Sequence, residues 1–589
     1  MSNVTFQING RSAALVLAFV AGLHVGMPAL AQARPVEKFE PAESLEGNYL
    51  AAVVAGSARD LGAASIYLRE AIRNDPQNSE LLERGFVAFL ADGAMNETFR
   101  AAEKLIQRDA TNGLAQLALG VRALKQKNYG AARTQLQRGG RGRSADITAT
   151  LLAAWAYSGS GETNRAIDTL ERLKGESTFD RFRDFHAGLI LDIAGRRNEA
   201  NRRLKAAYDA EKTNLRLVDL WARQQARAGD SEAALATLND FERSVRPNHP
   251  VVRDAIAKIS SKEPLQRIVG NTQQGAAEVL YGLASAGILQ GDEATALLYL
   301  RFAVYLDPGH DLAVLTLADI LERAKQTEDA VQVYRRMPEN SPLRPVADIQ
   351  IGLGLEQLGK TEEATKHLEG IIAARPDDIE AISALGNIYR SRKRFEEAAA
   401  TYDKAVAKLG TPSRANWDIF YSRGIAYERI KKWPQAEADL RKSLELMPEA
   451  LGRERALVLN YLGYSLVDQN LKLEEALGML RRAVELRPRD GYIIDSLGWA
   501  HYRLGRYDEA VTELEKAMEL RPSDPVINDH LGDVYWKTGR YLEARYQWNY
   551  ARDLGPEPED LTRILRKIDK GLEDPAPSAN AAEPKKDGG

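Results

Sequence analysis

The chain has 589 residues, and its 80 Lys and Arg nearly balance 83 Asp and Glu, a formal net charge of -3. That balance excludes the global polycation that holds nucleic acid or an anionic membrane. Cysteine is absent, which excludes a disulfide framework and any thiolate metal site.

Arg11 precedes an uncharged run from Ser12 to Met27, followed by Pro-Ala-Leu-Ala-Gln-Ala. Ala29 and Ala31, or Ala31 and Ala33, satisfy a small-x-small cleavage rule, and the apolar core is short for a membrane span. The pattern predicts a secretory signal peptide over 1–33, cut after Ala31 or Ala33, with a polar lead-in over 34–48. No other stretch is long and apolar enough to span a bilayer. The expected mature product lies in the periplasm of a Gram-negative cell, peripherally associated with the envelope.

From residue 49 a small residue recurs with a steady beat. Ala52, Gly85, Gly120, Ala154, Gly188 and Ala222 are 33, 35, 34, 34 and 34 residues apart. A second series, Ala64, Ala132, Ala166, Ala200 and Ala234, follows twelve residues behind its partners. A fixed period in this range signals stacked helical hairpins, here a degenerate N-terminal array over 49–247. The phase breaks between Ala222 and Ala284. His249-Pro250, Lys262-Glu263-Pro264 and the polar stretch Gly270 to Gly275 fall in the gap. The break predicts an irregular hinge over 248–276; an atypical repeat that keeps the array continuous is the alternative.

The beat resumes over 277–556 with Ala284, Ala318, Gly352, Gly386, Gly424, Gly463, Gly498 and Gly532. It is clearest in the last two copies. Leu497, Gly498, Gly505, Tyr507, Ala510, Leu514, Ala517 and Pro522 fall 34 residues before Leu531, Gly532, Gly539, Tyr541, Ala544, Trp548, Ala551 and Pro556. Each copy holds two apolar-periodic segments split by a turn at Gly505 or Gly539, the sequence form of a helical hairpin. Gly498 and Ala510 are small where the two helices should cross, and Pro522 and Pro556 end the second helix. These residues resemble the tetratricopeptide (TPR) repeat. The resemblance implies an all-α solenoid, a right-handed superhelix of about fourteen helix pairs.

After Pro556, Leu561, Ile564, Leu565, Ile568 and Leu572 line one face of an amphipathic segment. This predicts a capping helix over 557–573, which covers the last apolar face of the stack. The polar tail 574–589 is expected to be disordered.

Several motifs imitate chemistry. Gly354 to Thr361 matches the phosphate-loop pattern G-x-x-x-x-G-K-T, but a phosphate loop follows a strand and opens a helix. Here Gly354 falls inside a first helix and Gly359-Lys360 at the inter-helix turn. Arg138 to Arg143 is basic and Gly-rich but lacks aromatics, and reads as a loop. His186, His249, His310, His367, His501 and His530 show no metal-ligand spacing. His501 stands where the repeat has an aromatic core residue, so it reads as packed. Trp548 reads as core. No nucleophile elbow appears. The expectation is a non-enzymatic chain with no cofactor and no metal.

In TPR solenoids the first helices line the concave wall that binds partners. Carried onto matching repeats, the resemblance implies groove positions Tyr421, Arg429, Asn460, Tyr464, Asp495, Trp499, Tyr502, Arg503, Asp529, Asp533, Trp536 and Lys537. The stripe mixes aromatics with both signs of charge, as binding hot spots do. Trp499 and Trp536 suit either this groove or the gaps between repeats. The C-terminal block also resembles exported proteobacterial TPR adaptors, among them the adaptor of a carboxy-terminal processing protease. That resemblance implies a protein-protein interaction scaffold or adaptor of the bacterial cell envelope, with an envelope protease or hydrolase as partner. The alternative is a structural component of an envelope export or polysaccharide assembly complex.

Overall fold

The computed structural model describes residues 40–139, 143–174 and 177–572. The expected signal peptide, the start of the lead-in (34–39), the centre of the basic Gly-rich stretch (140–142) and the tail lie outside the described residues. Among the described residues there are thirty α-helices and no strand. The phosphate-loop imitation is resolved by this architecture: Gly354 lies inside the helix Arg344–Gln357, so a helix and not a strand leads into Gly359.

The hairpins form for the reasons the repeat suggests. A Cβ on Gly498 would stand 2.6 Å from Leu514 Cγ, and one on Gly532 would stand 2.5 Å from the Trp548 ring. The crossing point therefore admits no side chain, and the backbones close to helix-packing distance. The turn between the helices needs a left-handed residue, supplied by Gly505 (φ 74°) and Gly539 (φ 81°). In two other repeats Lys393 (φ 59°) and Lys431 (φ 61°) take the same conformation, which costs an L-residue about 1 kcal/mol. Asp524 caps the helix Pro525–Lys537 by accepting from Val526 N and Ile527 N.

The chain divides into two compact units, Met1–Lys360 and Thr361–Gly589. The boundary therefore does not fall at the expected hinge. Residues 248–276 instead hold the helix Pro250–Ser260. Its Val252, Ala255 and Ile259 pack with Leu265 into one core with Val218, Ala222, Leu238 and Phe241. The phase breaks because a single helix has been added, and its apolar face ties the segment into the first unit.

Beyond that helix the first unit departs from a simple stack. The hairpin Thr272–Leu289 and Glu293–Leu306 lies against the first helices of earlier hairpins, Ser79–Asp92, Gly113–Lys125, Arg143–Gly159 and Ser177–Ile193. A Cβ on Gly275 would stand 2.2 Å from the fully buried Trp155 ring. Gln273 Nε2 donates to Leu124 O at 2.7 Å, Lys125 Nζ to Leu306 O at 2.9 Å, and Arg301 Nε to Ala91 O at 2.8 Å. Phe99 meets Tyr305 edge-on at 5.2 Å. Where Arg216, Glu278 and His310 converge, the Arg216 guanidinium pairs with the buried Glu278 carboxylate, and His310 Nε2 stands 3.2 Å from it. Burial alone would raise Glu278, but the Arg216 charge outweighs burial and holds it well below the usual carboxylate range. The inner face of these first helices is filled by the chain itself.

The second unit is the plainer stack. Its hairpins run from Ile379–Ser391 with Phe395–Lys408 to Pro525–Lys537 with Tyr541–Asp553, and the helix Pro558–Lys570 closes the end. Successive first helices touch: Gly452–Asp468 with Gly491–Arg503, and that helix with Pro525–Lys537. Ala510, Leu514, Leu531, Val534, Ala544, Trp548 and Ile564 form the last core, joining two hairpins to the terminal helix.

Candidate partner-binding face

The first helices of the second unit carry all twelve expected groove residues, and the structure sorts them into two groups. Asp495, Trp499, Tyr502, Asp529, Asp533 and Trp536 come together in one cluster on the last two repeats. Tyr421, Arg429 and Asn460 lie on earlier repeats. Tyr464 stands between the groups, and burial followed by the charge of Asp495 and Asp468 holds its phenol above its ordinary value.

The three carboxylates are not open to a partner. Asp495, Asp529 and Asp533 are buried, because consecutive first helices bring one repeat's acidic position against the next repeat's side chains. His530 Nδ1 donates to Asp495 Oδ1 at 2.9 Å. Burial opposes the imidazolium, but Asp495, helped by Asp529 and Asp533, raises His530 above its ordinary value. Lys567 of the terminal helix places Nζ 2.8 Å from both oxygens of Asp529 and 2.7 Å from Asp533 Oδ1. Trp548 Nε1–H also donates to Asp533 Oδ1 at 2.9 Å. Burial and the neighbouring Asp529 push Asp533 up to about 6 despite Lys567.

The aromatics keep part of their surface. Trp499 is half-buried, stacked on His530 at 4.0 Å and on Tyr502 at 4.6 Å. Trp536 meets Tyr541 edge-on at 4.6 Å, and a Cβ on Gly571 would stand 2.1 Å from its ring. The end of the terminal helix therefore lies over Trp536. Tyr421 meets Tyr461 edge-on at 6.0 Å. Asn460, Arg503 and Lys537 are half-buried, with Arg503 Nη1 donating to Asp468 O at 3.3 Å, and Arg429 is exposed. The remaining accessible stripe thus runs along Tyr421, Tyr464, Trp499, Tyr502 and Arg503.

His530 and Lys567 were missed as members of this cluster. The signal was the repeat phase. Asp495, Asp529 and Arg563 are 34 residues apart, as are Trp499, Asp533 and Lys567. The terminal helix continues the same face with basic residues where the repeats have acidic ones. Arg563 accordingly stands 3.7 Å from Asp529. Among the described residues no group of three or more His, Cys, Asp or Glu side chains is arranged to hold a metal ion, and no helix is long and apolar enough to cross a membrane.

Family models described as a TPR repeat and as a tetratricopeptide repeat match residues 498–539 and 355–416, on the hairpins whose crossings and turns are described above. The chain carries TPR repeats. A TPR repeat-containing protein of Pseudomonas aeruginosa is 28% identical over 204 residues, 33% of this chain and 32% of that protein. The human NatB auxiliary subunit, N-alpha-acetyltransferase 25, is 26% identical over 211 residues, 34% of this chain and 19% of that protein. The TPR chain thus matches a third or less of the length of these relatives. Among solved structures, the anaphase-promoting complex hetero-tetramer Cut9-Hcn1 aligns over 90% of this chain and 97% of that one, at 14% identity and a TM-score of 0.38. TPR architecture is that of a protein-protein interaction scaffold.

Proposed function

We propose that this TPR protein is a non-enzymatic adaptor of the bacterial cell envelope, which grips a segment of a partner protein along the first helices of its second unit. The observation that carries the reading is the stripe Tyr421, Tyr464, Trp499, Tyr502 and Arg503, partly open on consecutive first helices. In the first unit the matching inner face is filled by the chain's own hairpin, which leaves the second unit as the place for a partner. Half-open aromatics beside an arginine have the composition of binding hot spots. The envelope location rests on the leader-like segment at residues 1–33, and an exported protease or hydrolase is the partner class in keeping with that location.

The test is site-specific photo-crosslinking in cells, with the reactive group at position 464 or 503 and a control at Lys516 on a second helix. A discrete envelope protein joined through 464 and 503, and absent from the control, supports the adaptor reading. The same products from all three positions, or none from any, would sink it. Recovery of the mature chain from the cytoplasm alone would remove the envelope part.

A further inference from the structure

The second unit repeats one device along its other face, where a side chain from each first helix reaches toward the second helices. Tyr389 donates its hydroxyl to Glu369 at 3.0 Å, Tyr427 to Asp403 at 2.5 Å, and Tyr535 to Glu515 at 2.8 Å. In each case the acceptor lies on the preceding second helix. Five residues after each tyrosine a cation sits over its ring: Arg394 at 4.5 Å, Lys432 at 6.0 Å and Arg540 at 3.9 Å. The repeat between holds Leu466 at this position, fully buried.

A second repeat also lacks the tyrosine. At the equivalent position stands His501, a shorter side chain without the phenol, and the cation five residues on is Arg506, drawn to Glu474 at 2.6 Å. An open cleft of about 410 Å³ lies there between the helices Leu473–Leu486 and Tyr507–Leu520. That volume falls within the ~300–1,000 Å³ range of small-ligand pockets. Its polar wall is Arg481, Glu485, Glu509 and Glu513. His501 lines it while only 5% exposed, and its Nδ1 is buried with no hydrogen-bond partner. The cleft thus stands where three other repeats place a tyrosine, with a polar surround of its own.

We propose that this cleft receives a tyrosine side chain presented by a partner protein. The ring takes the place that Tyr389, Tyr427 and Tyr535 fill in their own repeats. Its hydroxyl meets a different surround. The position twenty residues back, a carboxylate for Tyr389 and Tyr535, is Arg481, so the hydroxyl can accept from the guanidinium while it donates to Glu485 or Glu513. The site is on the opposite side of the first helix from the Trp499 and Tyr502 stripe, so it stands or falls independently of the groove reading.

The probe is N-acetyl-3-fluorotyrosinamide, followed by fluorine NMR on the full chain. A single side chain supports a Kd on the order of 1 mM, within range of the method. The expected result is saturable line broadening with wild type, weaker with the fluorophenylalanine analogue. His501→Tyr, which refills the slot, should abolish it and raise the thermal midpoint. Thr512→Phe, at an exposed position on the cleft wall, should abolish it too, and decides the matter should the first variant not fold. No saturable broadening with wild type overturns the proposal. Equal broadening in the folded variants overturns it as well, since the probe then binds elsewhere. A phenylalanine analogue that binds as tightly shows that the hydroxyl is not read, and the tyrosine assignment fails.

Discussion

Lys567 stands within 2.8 Å of both carboxylate oxygens of Asp529 and so joins the terminal helix to the last repeat through a buried ion pair. The lysine is also 2.7 Å from Asp533, so one ammonium serves two buried carboxylates. Its removal takes the nearest counter-charge from both, and breaking such a buried pair costs about 3–5 kcal/mol. Lys567→Met should destabilise the second unit by about that amount in urea unfolding. The triple variant with Asp529→Asn and Asp533→Asn should recover most of the loss. No recovery would mean that the lysine's stem, and not its charge, was the larger contribution.

The same cluster sets a pH response. Asp533 is raised to about 6, so its contribution is fully present below the unfolded value near 3.8 and is lost as pH rises through about 6. His530 is also raised, so what it contributes is present below about 6.5 and lost as pH rises further. Both slopes have one sign. The cluster's contribution to stability should therefore fall from pH 4 toward pH 8, and the difference between wild type and Asp533→Asn should change between about 4 and 6. A difference that stays constant over that window would contradict the assignment.

In the first unit the sign reverses at His186. Trp155 Nε1–H donates to His186 Nδ1 at 3.2 Å, and burial pushes the imidazole down to about 4. A depressed histidine stabilises above about 6.5 and loses that stabilisation as pH falls toward 4, on the order of 3 kcal/mol when complete. His186→Asn, which keeps an acceptor near Nδ1 and does not titrate, should flatten the acid limb of the first unit's melting profile. An unchanged limb would assign the acid sensitivity to other groups.

The helix crossings are tight enough to test directly. Gly532→Ala places a methyl 2.5 Å from the Trp548 ring, which is fully buried and cannot move away. The substitution should cost about 1–3 kcal/mol by overpacking, read as a lowered denaturation midpoint. A turn in an earlier repeat offers the opposite sign. Lys431→Gly at φ 61° should stabilise by about 0.5 kcal/mol, since the strain it relieves exceeds the entropy glycine adds.

The hairpins were legible because crossing residues repeat on a fixed period, and Gly498 or Gly532 must be small wherever the rest of the sequence drifts. The cap was legible from the amphipathic run Leu561 to Leu572. What the phase did not reveal is that Asp495, Asp529 and Asp533 are internal. A repeat template marks which face a residue lies on, but the counter-charges His530 and Lys567 come from the next helix, whose side chains the template does not fix. The segment 248–276 makes a related point. A phase break marks an inserted element and leaves open whether it separates or joins. A further signal was present in Glu293–Leu306, where apolar and aromatic residues run from Ala296 to Leu306 on every side of the helix, interrupted by Arg301 alone. A segment apolar around its whole circumference is one surrounded on all sides, not one wall of an open groove.

That enclosed hairpin also limits how the first unit can vary in length. Gln326 Nε2 reaches Arg59 O across 267 residues of sequence, and Arg301 is tied to Ala91. An open stack gains or loses a hairpin by changing one interface. In the first unit an added or deleted hairpin would shift every one of these long-range partners at once. Repeat number there is fixed by geometry, while the second unit remains free to lengthen by duplication. The inner helices also cannot cover their apolar faces until synthesis has passed Leu306, so the early hairpins wait, exposed, for a segment made some two hundred residues later.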